Sequence, residues 1–278
     1  MWKILFLCSF FCFFLFACDT DTGTGRDLEI ERQYCSEEEL AQRKSGTLAL
    51  ENYAEWAFQY PSGSEEGGMI NANVTPELKN KYFSLFESPD GKKYMRFSLD
   101  ASDKGKSPHA SSVRSELRHK NEWTLADKTS LEYTFYLTST DFSTAKFTVG
   151  QFLQICDTKE SPLCRIEVEN GQITAKVINY EKDGTTKSDG KTHKYSLGTI
   201  VQKQEVTIKI AIDNKVMRLY RDGKELANHI FPAEVESGYK NYYKAGIYYQ
   251  NKDSPKIFSE VFIRNLSVNT ENKICRNL

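Results

Sequence analysis

Histidine, methionine, proline and tryptophan are scarce in this sequence, and neither charge is in excess: 4 His, 4 Met, 7 Pro and 3 Trp accompany 37 basic and 38 acidic side chains. The near-neutral balance excludes non-specific nucleic-acid binding, which needs a strong basic excess, so an anionic partner has to be met by a local basic patch. Four scattered histidines have no ligand spacing, which argues against a catalytic metal, and no cofactor is implied. There is no Ser-His-Asp arrangement to argue from, no nucleotide loop, no internal repeat, no low-complexity segment and no sign of a second domain.

Long apolar runs are also missing apart from residues 4–17, which follow Lys3 and are too short to span a bilayer. Their proportions are those of a signal peptide, expected over residues 1–17. Leu15-Phe16-Ala17-Cys18 resembles a bacterial lipobox, with cleavage before Cys18 leaving that cysteine lipidated; the alternative is an ordinary signal peptide cut nearby. Either way the chain is expected to be exported, as a lipoprotein held at the periplasmic membrane or cell surface by its lipid alone. Residues 18–34, including the polar stretch D-T-D-T-G-T-G-R, are expected to be a lipid-anchored linker, and residues 35–278 a single domain, with a monomer the expected state.

Of the seven cysteines, Cys8 and Cys12 leave with the signal and Cys18 takes the lipid. The remaining four, Cys35, Cys156, Cys164 and Cys275, allow three pairings. In an oxidising compartment the simplest assignment staples the domain ends through Cys35–Cys275 and clips a short segment through Cys156–Cys164.

What is abundant is tyrosine and phenylalanine, 15 and 17 residues. One short helix is expected, opened by the capping box at Ser36–Glu39 and ended at Ser45-Gly46. Beyond residue 82 the pattern is strands and turns. Strands are expected at 94–99, 113–119, 130–137, 146–155, 165–169, 173–180, 206–212, 216–220, 242–249 and 257–268. Pro89-Asp90-Gly91, Asn170-Gly171, Asp183-Gly184, Asp213-Asn214 and Asp222-Gly223 punctuate them. Many short strands at this spacing predict an all-β sandwich or jelly roll.

Three strands carry polar groups on one face. In V-R-S-E-L-R-H, residues 113–119, the period of two sets Arg114, Glu116 and Arg118 opposite Ser115, Leu117 and His119. Taken alone this is either a solvated outer face or a set of charges completed by an anionic ligand. In residues 151–156, Phe152, Gln154 and Cys156 share a face opposite Gln151, Leu153 and Ile155. In residues 242–250, Tyr242, Lys244, Gly246, Tyr248 and Gln250 share another. If the faces bearing Arg114, Gln154 and Tyr248 belong to one concave sheet, its cleft collects guanidinium, amide, ammonium and phenol groups, a set suited to an acidic polymer.

R-S-E-L-R at 114–118, Q-I-C at 154–156 and Y-Y-K-A-G-I-Y-Y-Q at 242–250 resemble, in order and spacing, the three signature segments of polysaccharide lyase family 7, the alginate lyases. The resemblance runs from about residue 52 to 268. It implies a β-jelly roll of two antiparallel sheets, a concanavalin-like sandwich with a concave substrate cleft. It also implies cleavage of a uronate polysaccharide by β-elimination. It gives Tyr248 the proton transfer, and Arg114 or Arg118 with Gln154 the neutralisation of the substrate carboxylate. Glu116, Lys244, Gln250 and Cys156 are expected at the substrate. A tyrosine base calls for a lowered pKa, and nearby cations push that way.

The middle segment of the family normally ends in histidine, and this chain has Cys156 there. With one tyrosine as base and then acid, syn elimination on mannuronate or glucuronate is expected over guluronate, unless His109, His119, His193 or His229 reaches the cleft. Cys156 itself reads as half of a disulfide rather than a nucleophile. The expected substrate is alginate, mannuronate favoured. The alternatives are glucuronan or another glucuronate-bearing glycan, a non-catalytic glycan-binding lipoprotein, and a structural surface protein with no uronate affinity.

Overall fold

Alternating burial builds the fold strand by strand. In the segment Val206–Asp213 every second residue, Val206, Ile208, Ile210 and Ile212, is buried and the residues between are not, as a sheet with one face on a core requires. The structure, a computed structural model, describes residues 33–34, 37–38, 41–42, 49–64, 67–100, 102–105, 112–250, 257–270 and 273–274. These fall in the compact unit Arg32–Leu278. The expected signal peptide, Cys18 and most of the linker lie outside the described residues, as do Cys35, Cys275 and His109.

In chain order the strands are β1 (Gln33–Tyr34), β2 (Trp56–Pro61), β3 (Met69–Asn73), β4 (Phe83–Glu87), β5 (Lys93–Asp100), β6 (Arg114–His119), β7 (Lys128–Ser139), β8 (Lys146–Ile155) and β9 (Glu160–Glu169). There follow β10 (Gln172–Val177), β11 (His193–Thr199), β12 (Val206–Asp213), β13 (Val216–Arg221), β14 (Lys224–Ile230), β15 (Asn241–Tyr249), β16 (Phe258–Thr270) and β17 (Lys273–Ile274). Eight strands form one sheet in the order β11-β10-β9-β8-β15-β6-β2-β3, and seven form the other in the order β14-β13-β12-β7-β16-β5-β4. Every neighbouring pair in these two sheets is antiparallel. The molecule is the jelly roll that the strand pattern implies.

Between the sheets lies one core, including Phe58, Phe97, Leu117, Tyr133, Phe135, Phe147, Phe152, Ile210, Tyr243 and Ile263. The expected early helix is seen at Glu37, Glu38, Ala41 and Gln42, where Gln42 Nε2 donates to Glu38 Oε1 at 3.3 Å. The linker was expected to reach residue 34, but Gln33 and Tyr34 pair in parallel with Lys273 and Ile274.

In the two large sheets five strands escape the sequence pattern, β2, β3, β4, β11 and β14, as does the short pair β1 and β17. Four of them, β3, β4, β11 and β14, are sheet edges. The edge strands β3, β11 and β14 carry polar residues that deter pairing with another chain and break the β-branched and aromatic run of a central strand; β4 is instead short and apolar, with Phe83, Leu85 and Phe86.

The Cys156–Cys164 clip does not form; both are free, buried thiols. The hairpin register pairs Cys164 with Phe152, four residues before Cys156. At ~3.3 Å per residue that offset is about 13 Å, beyond the reach of a disulfide.

Candidate active site

Strands β6 and β15 lie side by side, with Arg114 opposite Tyr248, Glu116 opposite Gly246 and Arg118 opposite Lys244. Paired residues share a face, so both arginines, the glutamate, the lysine and the tyrosine project from the outer side of the eight-stranded sheet. Gly246 allows the approach: its φ is 147°, and a Cβ there would sit 2.3 Å from the Ser115 carbonyl oxygen. Any larger residue would push β15 away from β6.

Glu116 is the anchor of the group. It is 0% exposed and accepts from Gln151 Nε2 at 2.7 Å and from Lys244 Nζ at 3.3 Å, with Arg114 Nη1 3.7 Å away. Lys244 is itself buried, and burial pushes its ammonium down to about 8 against the opposing pull of Glu116. Neither charge would be tolerated alone at such depth. Glu116, expected at the substrate, instead has both oxygens engaged and holds three cationic or amide donors in place.

Two cation–aromatic stacks frame this anchor. The Arg114 guanidinium lies 4.3 Å from the Tyr248 ring centroid, and that of Arg118 lies 4.1 Å from the Tyr242 ring. The two tyrosines differ in surroundings. Tyr242 is buried and donates to Glu160 Oε2 at 2.7 Å, and both effects push its hydroxyl above the ordinary range, so it stays protonated. Tyr248 is only half-buried, and its hydroxyl has no hydrogen-bond partner recorded among the described residues. Gln250 accepts from Arg165 Nη1 at 3.4 Å and extends the same face.

Gln154 is not part of this group. Pairing of Lys244 with Gln151 and of Asn241 with Gln154 sets the two glutamines on opposite faces. Gln154 donates to the Glu236 carbonyl at 3.0 Å, and its Oε1 lies 3.7 Å from the Cys156 thiol. Cys156 is buried on that same side, and burial raises its thiol to about 11. The amide at the site is Gln151. Two positions further along that face stands Leu153, opposite Tyr242.

The signal that would have found Gln151 is Phe152, a large apolar residue that belongs in the core and takes Gln154 and Cys156 to its own side. What hides the phase is a β-bulge between Thr148 and Gly150. There Gly150 lies against the Tyr133 hydroxyl, 2.1 Å from where a Cβ would be.

None of the three described histidines reaches this face. His119 packs edge-on to Trp56 at 4.8 Å and bonds the Asn121 carbonyl through Nδ1 at 3.2 Å; burial lowers its pKa. His193 pairs with Asp189 at 2.5 Å, and His229, pushed down to about 4 by burial, bonds Asn179 and Tyr195. Among the described residues no group of three or more His, Cys, Asp or Glu is arranged to hold a metal ion.

A family model described as alginate lyase matches residues 51–270. Among solved structures the chain is similar to alginate lyase A1-II′, of polysaccharide lyase family 7, at 21% identity and a TM-score of 0.67, covering 82% of this chain and 99% of that one. It is similar to an alginate lyase from Pseudomonas aeruginosa at 19% identity and a TM-score of 0.63, over 79% and 100% of the two chains. For an alginate lyase from Klebsiella pneumoniae the values are 16%, 0.62, 81% and 98%. Variants of A1-II′ have been solved with the substrate GGMG and the product GGG. No curated protein matches the chain.

Proposed function

Because the chain belongs to the alginate lyase family, and so is a polysaccharide lyase, we propose that it cleaves a uronate-containing polysaccharide, alginate first, by β-elimination on the outer face of the eight-stranded sheet. The observation that carries this reading is the juxtaposition of the Tyr248 phenol and the Arg114 guanidinium beside the Glu116-anchored pair Gln151 and Lys244.

Removing the C5 proton of a uronate is hard because the electron pair is pushed into the attached carboxylate, turning it into a doubly charged enolate. Donors fixed beforehand lower that barrier without reorganising during the reaction. Arg114 offers a planar fork to the carboxylate, and Gln151, which spends one N–H on Glu116, has a second to give. Lys244 adds charge from below. Tyr248, as phenolate, takes the C5 proton; the electron pair forms the C4–C5 double bond, the C4–O bond breaks, and the phenol returns the proton to the leaving oxygen.

With Leu153 on this face and no described histidine there, one tyrosine serves both faces of the proton transfer. That supports syn elimination, where C5–H and C4–O lie on the same side of the ring, and hence mannuronate over guluronate. Glucuronan has the same relation and is the second substrate reading. A binding module is disfavoured because binding alone does not require a phenol set beside the carboxylate clamp. The lipobox-like segment ending at Cys18 supports an exported, lipid-anchored enzyme.

Absorbance of the new double bond tests the assignment. The native protein should generate it from a polyuronate, and Tyr248→Phe should lose it while still binding the polymer. Retained turnover in Tyr248→Phe would remove tyrosine from the mechanism.

A further inference from the structure

A polar cavity opens on the same face, toward the β11 edge of the sheet. It has a volume of about 320 Å³ and is lined by Lys146, Glu167, Glu169, Thr174, Lys176 and Lys194. Five of the six project outward, because their neighbours along the strands, Phe147, Ile166, Val168, Ile173, Ala175 and Val177, are buried in the core, and Lys194 joins them as the cross-strand partner of Lys176.

Register ties this cavity to the candidate active site. Tyr248 pairs with Thr148, Thr148 with Glu167, and Glu167 with Thr174. The cavity thus begins in the cross-strand row of Tyr248 and is centred two to three strands away, or about 10 to 14 Å at ~4.8 Å per strand. The adjacent row runs Lys244, Gln151, Arg165, Lys176, Lys194.

The lining excludes an apolar ligand. Lys146 pairs with Glu169 at 3.0 Å, and Glu167 is shared by Lys176 and, at 3.7 Å, Arg165. Lys194 is exposed, with no ion pair recorded among the described residues. The cavity therefore offers ammonium groups to an anion and carboxylates and a hydroxyl to sugar hydroxyls. A uronate presents both.

We infer that this cavity is a distal subsite that holds the carboxylate of a uronate unit a few sugars from the bond being cut. The inference rests on the uronate-lyase reading and adds to it: a polymer lying across the strands is gripped at two separated points, so long chains are preferred to short ones.

The test is Lys194→Glu, a surface change that leaves the buried ion pairs intact, with Lys194→Arg as the conservative control. KM for a long polyuronate should rise about fivefold in Lys194→Glu, the scale of one exposed charge pair, and return in Lys194→Arg. Turnover of the shortest oligouronate that the protein cleaves should not change. An unchanged KM for the polymer, or an equal rise for short and long substrates, overturns the subsite. If the native protein shows no turnover at all, the lyase reading fails separately, and calorimetry with the same long polyuronate decides: weaker binding by Lys194→Glu supports the subsite, and equal or absent binding overturns it.

Discussion

Arg114 and Tyr248 face each other across neighbouring strands, with the guanidinium 4.3 Å from the ring centroid. The contact fixes the phenol against the guanidinium that the proposed mechanism sets on the substrate carboxylate. Arg114→Lys keeps the charge but loses the planar fork and the stack. A charge-assisted hydrogen bond contributes about 1.5–3 kcal/mol, so kcat/KM should fall about 10- to 100-fold, with the fold retained by circular dichroism. A loss of less than a few-fold would remove the fork from the account.

Gln151 and Gln154 make opposite predictions. Gln151→Ala removes an amide bonded to buried Glu116 and aimed at the cleft face, and kcat should drop by about 10²-fold, as for other preorganised donors. Gln154→Ala breaks a bond to the Glu236 carbonyl and should lower the melting temperature while leaving kcat within a few-fold. Steady-state kinetics and thermal melts on the two variants separate them.

The mislocated glutamine shows what the sequence could carry. The period of two divides 151–156 correctly into two faces, and the central strands were legible because their buried positions are β-branched or aromatic. The choice of which face bears the site depended on the bulge at 148–150, which resets the phase of β8 and leaves no mark beyond Gly150. The edge strands β3, β11 and β14 were hidden by their polar residues. The Cys156–Cys164 pairing failed on a hairpin register set by backbone hydrogen bonds, which residue spacing alone does not specify. By contrast Arg114, Glu116, Lys244 and Tyr248 do share one face of neighbouring strands: the period of two groups them within each strand, and the resemblance to polysaccharide lyase family 7, not the pattern, is what singled out Tyr248.

Lys244 gives the site a pH dependence. Burial holds its ammonium at about 8 beside Glu116, so raising the pH through that value removes a cation from the carboxylate clamp. KM for a polyuronate should rise across that range, and Lys244→Met should show a high KM without the transition. Stability has the opposite sign. The folded value lies below the ordinary lysine value of about 10.4, so between the two the unfolded chain binds more protons, and the contribution of Lys244 to stability rises with pH. Melting temperatures of the native protein relative to Lys244→Met should increase through that window.

Leu153 occupies the position on the cleft face two residues beyond Gln151, opposite Tyr242. Leu153→His brings a second proton-transfer group to a face that has no described histidine. Turnover of polyguluronate, which needs proton removal and donation from opposite sides, should rise by up to about 10²-fold relative to polymannuronate. An unchanged ratio would mean that residue 153 does not reach the leaving oxygen.

The most direct test incubates the native protein with polymannuronate, polyguluronate and glucuronan in parallel and follows the ultraviolet absorbance of the C4–C5 double bond. Proton transfer by Tyr248 alone predicts a rise with polymannuronate that outpaces polyguluronate. No rise with any of the three, or the fastest rise with polyguluronate, would contradict it.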